Sequence, residues 1–278
     1  MKILIKGAGD LATGIAVRLF RCGYNILMTD IAVPTTVRRT VAFSRAVYDG
    51  HCEVEGIEGV LANEQQEAER QLQQIEQLQA DRKISVIVDE KTDILKDYQP
   101  DVLVDAILAK KNRGTLITDA PLVIGVGPGF TAGVDVHAVI ETKRGHDLGR
   151  VIYEGSAIPN TGIPGNVGGY TIERLIKAGV DGIFHPLTSI GEYVEQGQAV
   201  AEVIVGQADK EVVGQPIYAQ MSGIVRGMLQ EGVYVTTGMK VGDIDARCEI
   251  AHCYTVSDKA RSIGGGVLEA IITYIQER

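Results

Sequence analysis

Apolar and polar positions follow two different periods along the first half of this chain. Residues 2–6 form a short apolar run, residues 10–21 carry Leu11, Ile15 and Leu19 at helical spacing, and residues 25–29 are apolar again. A β-α-β opening is predicted. Pro34-Thr-Thr36 can begin another helix, with Val37, Val41 and Ala42 on one face, whereas residues 52–61 fit neither period. Residues 63–79, rich in Gln and Glu with a narrow stripe of Leu72, Ile75 and Leu78, predict a surface helix. Apolar runs at 84–88, 102–107 and 122–126 read as buried strands. Strands separated by helical segments imply a mostly parallel, doubly wound sheet. Ligands of such sheets sit beyond the carboxyl ends of the strands, where Asp30, Asp89, Asp105 and residues 125–129 fall.

After Gly182 the texture changes to short β-prone runs punctuated by glycine. Residues 189–203 and 228–242 share a Gly-x-x-Val-x-x-Gly core followed by a small apolar strand, and this repeat resembles the biotinyl/lipoyl-type barrel-sandwich fold. The expected fold class is therefore α/β: a Rossmann-like, mostly parallel sheet, a small all-β barrel-sandwich module and a C-terminal helix. The expected domains are residues 1–180, 181–247 and 248–278, the last returning to the first. Asp209-Lys210 matches a lipoyl-type pair, but its connection is longer than swinging-arm carriers use, so a β cap is the preferred reading over a modified arm. In the closing segment Ser257 or Asp258 can cap a helix with Val267, Leu268, Ile271, Ile272 and Ile275 on one face. Gly264, Gly265 and Gly266 would break that helix or bring it close to another backbone. A helix start after them, flanked by Lys259 and Arg261, could bind an anion.

Composition narrows the function classes. The chain has 278 residues, 45% of them hydrophobic, which suffices for a full core. Its 36 acids against 27 Lys and Arg give a net charge of -9 with no basic tract, which argues against nucleic acid as a partner. Neither a signal-peptide apolar region nor a membrane-spanning run is present, so a cytoplasmic protein without membrane association is expected. Cys22, Cys52, Cys248 and Cys253 lack zinc spacing and read as free, buried thiols, although His51 and His252 precede two of them and could lower a thiol pKa.

The candidate chemistry lies in glycine loops. Gly7-Ala-Gly-Asp-Leu-Ala12 fits a dinucleotide fingerprint, with Gly7, Gly9 and Ala12 admitting a phosphate to a helix start and Asp30 at the spacing of a ribose-binding acid. Asp10 could cap the helix instead of facing a pyrophosphate. Residues 125–169 hold three further glycine-rich loops between β-prone segments, which points to a ligand pocket bounded by Gly127 and Gly129. Lys110, Lys111 and Arg113 follow a strand, and Lys110 is the first choice there for holding a phosphate or carboxylate. On one strand Asp135, His137 and Glu141 would share a face, but three ligands along one strand reach poorly around an ion, so no metal site is assigned. Acid/base use of His137, Glu141 or His146 is favoured, with Arg144 as an anion clamp.

Taken together, Gly7-Ala-Gly-Asp-Leu-Ala-Thr-Gly14, Val104-Asp-Ala-Ile-Leu-Ala-Lys-Lys-Asn112, Gly127-Pro-Gly-Phe-Thr-Ala-Gly133, Glu141-Thr-Lys-Arg-Gly-His146, Pro159-Asn-Thr-Gly-Ile-Pro-Gly165 and Asp258-Lys-Ala-Arg261 resemble the YqeB family, accessory proteins associated with selenium-dependent molybdenum hydroxylases. The likeness spans nearly the whole chain. Ala246 departs from it, where proline is expected. The resemblance implies a role in maturing such a hydroxylase, with a nucleotide or molybdopterin-type cofactor as ligand and the hydroxylase as partner. It supplies no reaction. An NAD(P)-dependent oxidoreductase and a non-catalytic docking scaffold are the alternative readings.

Overall fold

A computed structural model describes residues 1–62, 68–160, 162, 165, 168–206 and 213–277. Lys210 lies outside the described residues. The chain divides into two compact units, residues 1–34, 42–161 and 256–278 forming the first and residues 35–41 and 162–255 the second.

The first unit is built on a nine-stranded sheet in the order β3-β4-β5-β2-β1-β6-β7-β8-β9. These strands are β1 (Lys2–Lys6), β2 (Asn25–Asp30), β3 (His51–Val54), β4 (Ile57–Leu61), β5 (Ile84–Val88), β6 (Val102–Asp105), β7 (Leu122–Val126), β8 (Ala138–Ile140) and β9 (Val151–Ile152). Its helices are α1 (Asp10–Arg21), α2 (Arg45–Asp49), α3 (Ala68–Ala80), α4 (Leu95–Tyr98) and, from the end of the chain, α6 (Asp258–Gln276). Strand β1 is apolar at consecutive positions because it lies between β2 and β6 with Ile3, Leu4 and Ile5 wholly buried. Tyr98 is buried as well, where its hydroxyl accepts from Gln79 Nε2 at 2.8 Å and burial pushes its pKa up to about 12.

The expected Rossmann-like, mostly parallel sheet is corrected by this topology. The sheet is mixed, with antiparallel pairs at both edges, β3 with β4 and β8 with β9. Glu55 (φ 50°) and Gly56 (φ 79°) join the first pair in a two-residue turn of left-handed backbone, which explains why residues 52–61 suited neither period. The alternation of helices and strands also fails beyond β6, because no helix lies between β6 and β7 or between β7 and β8. Helix α6 supplies cover there and contacts β7, β8, β9 and α1.

The second unit comprises two four-stranded antiparallel sheets, in the orders β10-β17-β15-β12 and β14-β13-β11-β16. Their strands are β10 (Leu175–Lys177), β11 (Gly182–Pro186), β12 (Tyr193–Val194), β13 (Ala199–Val205), β14 (Val213–Tyr218), β15 (Gly223–Met228), β16 (Tyr234–Val235) and β17 (Lys240–Asp245), with helix α5 (Ala251–Tyr254) following. This arrangement replaces the expected barrel-sandwich module. It is also larger than residues 181–247, because β10 pairs with β17 and the Val37 carbonyl accepts from the Met228 amide at 2.7 Å. That backbone pairing, with a single 3-10 turn at Arg39–Val41, stands where a helix beginning at Pro34 was expected. Phe184, Val200, Val225 and Ile244 lie in one apolar core. Buried Asp243 and Asp245 are matched by Arg174 (2.8 Å), Arg226 (3.6 Å) and Arg247 (2.5 Å).

Among the described residues no helix is long and apolar enough to cross a membrane. All four cysteines are free; Cys253 is buried and Cys52 half-buried, whereas Cys22 and Cys248 are exposed, contrary to the buried reading. Burial raises the thiol pKa of Cys253 and pushes that of Cys52 up to about 11, so neither neighbouring histidine activates its thiol.

Candidate functional site

The carboxyl ends of β1, β2, β6, β7 and β8 lie along one edge of the first unit's sheet. Gly7 leaves β1 with φ 91°, and a Cβ there would lie 3.0 Å from the Ala106 carbonyl oxygen, so both the turn and the close approach demand glycine. Gly9 precedes α1 in extended backbone, with no side chain capping the helix, and Ala12 is buried within it. Asp30 accepts from the Ala8 amide at 3.0 Å and the Ile31 amide at 2.8 Å. The acid expected to take a ribose diol thus fastens the glycine turn. Burial raises its pKa, opposed by the two amides. Thr13 donates its hydroxyl to the Ala8 carbonyl (3.2 Å) and accepts from the Phe43 amide (2.9 Å), so the chain at residue 43 is tied to the same turn.

Between β1 and β6 lies a charged pair that the sequence reading missed. Lys6 and Asp105 are register partners, both buried; Lys6 Nζ donates to Thr115 Oγ1 at 2.7 Å and stands 3.7 Å from Asp105 Oδ2, to which Thr115 donates at 2.6 Å. Its signal was a lysine ending one buried strand and an aspartate ending another. Asn112 shapes the loop that carries Thr115, accepting from the Gly114 and Thr115 amides and donating to the Thr115 carbonyl. Lys110 is exposed on this loop with φ 63°. A Cβ on Gly129 would sit 2.5 Å from the Lys111 Cα, and one on Gly127 would sit 2.9 Å from Thr142 Oγ1. Both glycines therefore let loops pack on one another.

Glu141, at the exit of β8, is buried and accepts three amides: Thr142 (2.7 Å) and Lys143 (2.8 Å) on Oε1 and Ile158 (2.8 Å) on Oε2. It organises two glycine loops at once. His137 lies elsewhere, at the start of β8, where Nδ1 accepts from the Val123 amide at 2.9 Å and burial holds its pKa below the usual range. Asp135 accepts from the Thr131 amide at 2.8 Å. The three residues expected on one face are thus not brought together, and among the described residues no group of three or more His, Cys, Asp or Glu could hold a metal. His146 is exposed. Arg144 forms a two-pronged pair with Asp258, at 2.6 and 3.0 Å, in the first turn of α6.

Helices α1 and α6 run side by side in the same direction, since Gly14 meets Ala260 while Gly264 meets Gly14, Ile15 and Arg18. Ser257 caps α6 by accepting from the Ala260 amide at 3.2 Å. The helix then continues through Gly264, Gly265 and Gly266 without a break, and the other expectation, close approach to another backbone, is met at Gly264 and Gly266. Lys259, half-buried in its first turn, interacts with Asp10 at the start of α1, with Glu141 and with Arg144 and Asp258. Burial lowers its pKa first, then the Arg144 charge, against the three acids. Two positive helix ends, Lys259 and Arg144 therefore gather at the carboxyl edge together with the carboxylates of Asp10, Glu141 and Asp258. A neighbouring cavity of about 510 Å³ is lined by Glu141, Asp147, Arg150, Tyr153, Glu154 and Ser156. Its wall carries more acid than base.

No family model matches the chain. Solved structures similar to it include a succinylglutamate desuccinylase from Silicibacter sp. TM1040 (12% identity, 87% of this chain and 84% of that chain, TM-score 0.27). An aspartoacylase family protein from Mesorhizobium loti (12% identity, 87% and 84%, TM-score 0.26) is another. In sequence, the chain is 45% identical over 275 residues to uncharacterized protein YqeB of Escherichia coli (strain K12), a match covering 99% of this chain and 48% of that protein. The chain therefore spans about half the length of this relative, and it belongs to the YqeB family.

Proposed function

We propose that this chain is an accessory protein in the maturation of a selenium-dependent molybdenum hydroxylase, and that its first unit binds a nucleotide or the nucleotide-bearing molybdenum cofactor. The phosphoryl oxygens face the starts of α1 and α6, with Lys259 and Arg144 as cationic contacts. The observation that carries the ligand class is the parallel pairing of these helices with Lys259 half-buried between acids. Backbone amides at helix starts bind phosphate without regard to the base, so the phosphoryl group is the recognised element. The hydroxylase partner rests on the family motifs alone. A nicotinamide reading loses ground because both Asp30 oxygens already accept amides.

The test is a thermal-shift titration with ADP, CTP, NAD and molybdopterin cofactor on wild type, Gly9→Asp and Lys259→Ala. Gly9 has φ -66° and ψ 178°, which aspartate adopts readily and which suits a helix cap, so Gly9→Asp adds repulsion without unfolding the turn. A ligand-dependent shift in wild type that both variants lose supports the proposal. No shift with any ligand refutes it and returns the docking scaffold to first place. For the partner, the hydroxylase is isolated from cells with and without this protein; equal cofactor content and activity refute a maturation role.

A further inference from the structure

A second cationic depression lies along α1, away from the carboxyl edge. It is a cavity of about 260 Å³ floored by Val17 and Val256 and rimmed by Arg18, Arg21, Cys22 and Arg261. Arginines in the last turn of α1 would by themselves be explained by the helix dipole. Arg261 arrives from α6, however, and Glu55 organises the rim from a third element. The left-handed turn at Glu55 (φ 50°) presents its carboxylate to Arg21 at 3.2 Å, to Arg261 at 2.5 Å and to the Val256 amide at 2.9 Å. Glu55 is 11% exposed at its side chain, so two guanidinium groups are held by a nearly buried acid. Among the described residues Arg18 has no carboxylate within ion-pair distance, and it stands beside them. Three guanidinium groups against one carboxylate leave two positive charges in a chain whose net charge is -9.

We infer that this cavity is a binding site for a phosphoryl group, either a small phosphorylated molecule or the phosphoryl end of a larger one. A phosphoryl dianion balances the two excess charges, whereas a single carboxylate balances one. Fork-shaped donors suit its oxygens, and the apolar floor excludes water beneath them. The volume lies just below the usual range of whole-ligand pockets, roughly 300–1,000 Å³, which fits a small anion. The site uses neither Lys259 nor Gly9 and stands independently of the carboxyl edge.

Pyrophosphate is the probe, added to the full chain at constant ionic strength. Two readouts are taken: calorimetric titration, and the rate at which the neutral reagent iodoacetamide alkylates Cys22, followed by peptide mass spectrometry with exposed Cys248 as internal reference. Saturable binding is expected, and its component at this cavity should slow Cys22 alkylation at least about fivefold and leave Cys248 unchanged, while binding at the carboxyl edge should not protect Cys22. Arg18→Gln removes a guanidinium outside the Glu55 pairs and should weaken binding about tenfold or more and abolish the protection, with the melting temperature unchanged. Lys259→Ala should leave the protection of Cys22 intact. Absence of protection at Cys22, protection that Arg18→Gln leaves untouched, or its loss in Lys259→Ala instead would overturn the assignment. Acetate protecting Cys22 as well as pyrophosphate does would overturn the phosphoryl class.

Discussion

Three consecutive glycines inside α6 should respond to alanine with three different outcomes. Replacing a helical glycine by alanine gains about 1 kcal/mol of helix propensity wherever the new methyl fits. At Gly265 no atom lies within 4 Å of the Cβ position, so that gain should stand, raising the melting temperature by about 2–4 °C. At Gly264 the methyl would lie 3.0 Å from the Gly14 carbonyl oxygen and 3.3 Å from the Ile15 Cα. Helices α1 and α6 must part by a few tenths of an ångström, which cancels the gain. At Gly266 the methyl would overlap the Gly149 carbonyl oxygen and meet Ile140 Cγ2 at 3.1 Å. Gly149 has little room to retreat, because its amide donates to the Glu141 carbonyl at 2.9 Å and its own Cα faces the Ser262 carbonyl. Overpacking of this kind costs about 1–3 kcal/mol, and because backbone meets backbone the upper end applies, leaving a net loss of about 2 kcal/mol. Differential scanning calorimetry of the three variants should rank Gly265→Ala above Gly264→Ala above Gly266→Ala. Equal stability of Gly266→Ala and Gly265→Ala would refute the packing of α6 against the 141–149 loop.

Glu141→Gln keeps the shape but turns an amide NH₂ toward a backbone N–H it formerly accepted, and should destabilise the first unit by about 2 kcal/mol in chemical denaturation; a change below about 0.5 kcal/mol contradicts the three-amide clamp. Asp245 is held down to about pKa 2: burial raises it, but hydrogen bonds from Arg247 and the charges of Arg247 and Arg226 outweigh that. Its folded pKa lies below the unfolded value of 3.8, so its contribution is present above pH 4 and lost as pH falls toward 2. Roughly 2 kcal/mol of second-unit stability should disappear across that window in wild type and not in Asp245→Asn. Lys259 must be cationic to hold a phosphoryl group, so affinity at the carboxyl edge should fall with rising pH before the ordinary lysine range is reached. An affinity flat to pH 10 in calorimetric titration would sink that role.

Elements whose burial is decided locally were legible in the sequence. Strands β1, β5 and β7 and helix α1 occupy residues 2–6, 84–88, 122–126 and 10–21, where continuous apolar runs or helical spacing placed them. What escaped depends on partners distant in the chain. The sheet is mixed because Glu55-Gly56 makes a hairpin and β8 turns back into β9, and α6 covers strands laid down over a hundred residues earlier. Residues 35–41 have helical spacing but pair with β15 through Val37. Gly127, Gly129 and Gly149 stand where loops pack closely on a neighbour, whereas Gly133, Gly145 and Gly155 face open space. The residues of this region divide by role only in three dimensions: Glu141 binds amides, Arg144 pairs with Asp258, and His137 lies at the other end of its strand. Lys259 carried a signal as a cation near a helix start, although the helix begins before the glycines.

The most direct test of the account is native mass spectrometry of the protein isolated from cells that make molybdenum cofactor, comparing wild type with Gly9→Asp. A phosphate-bearing nucleotide or pterin mass retained by wild type and missing from the folded variant is the predicted result. Identical spectra for the two proteins, with no such ligand on either and no thermal shift on adding one, would contradict a phosphoryl site at the starts of α1 and α6.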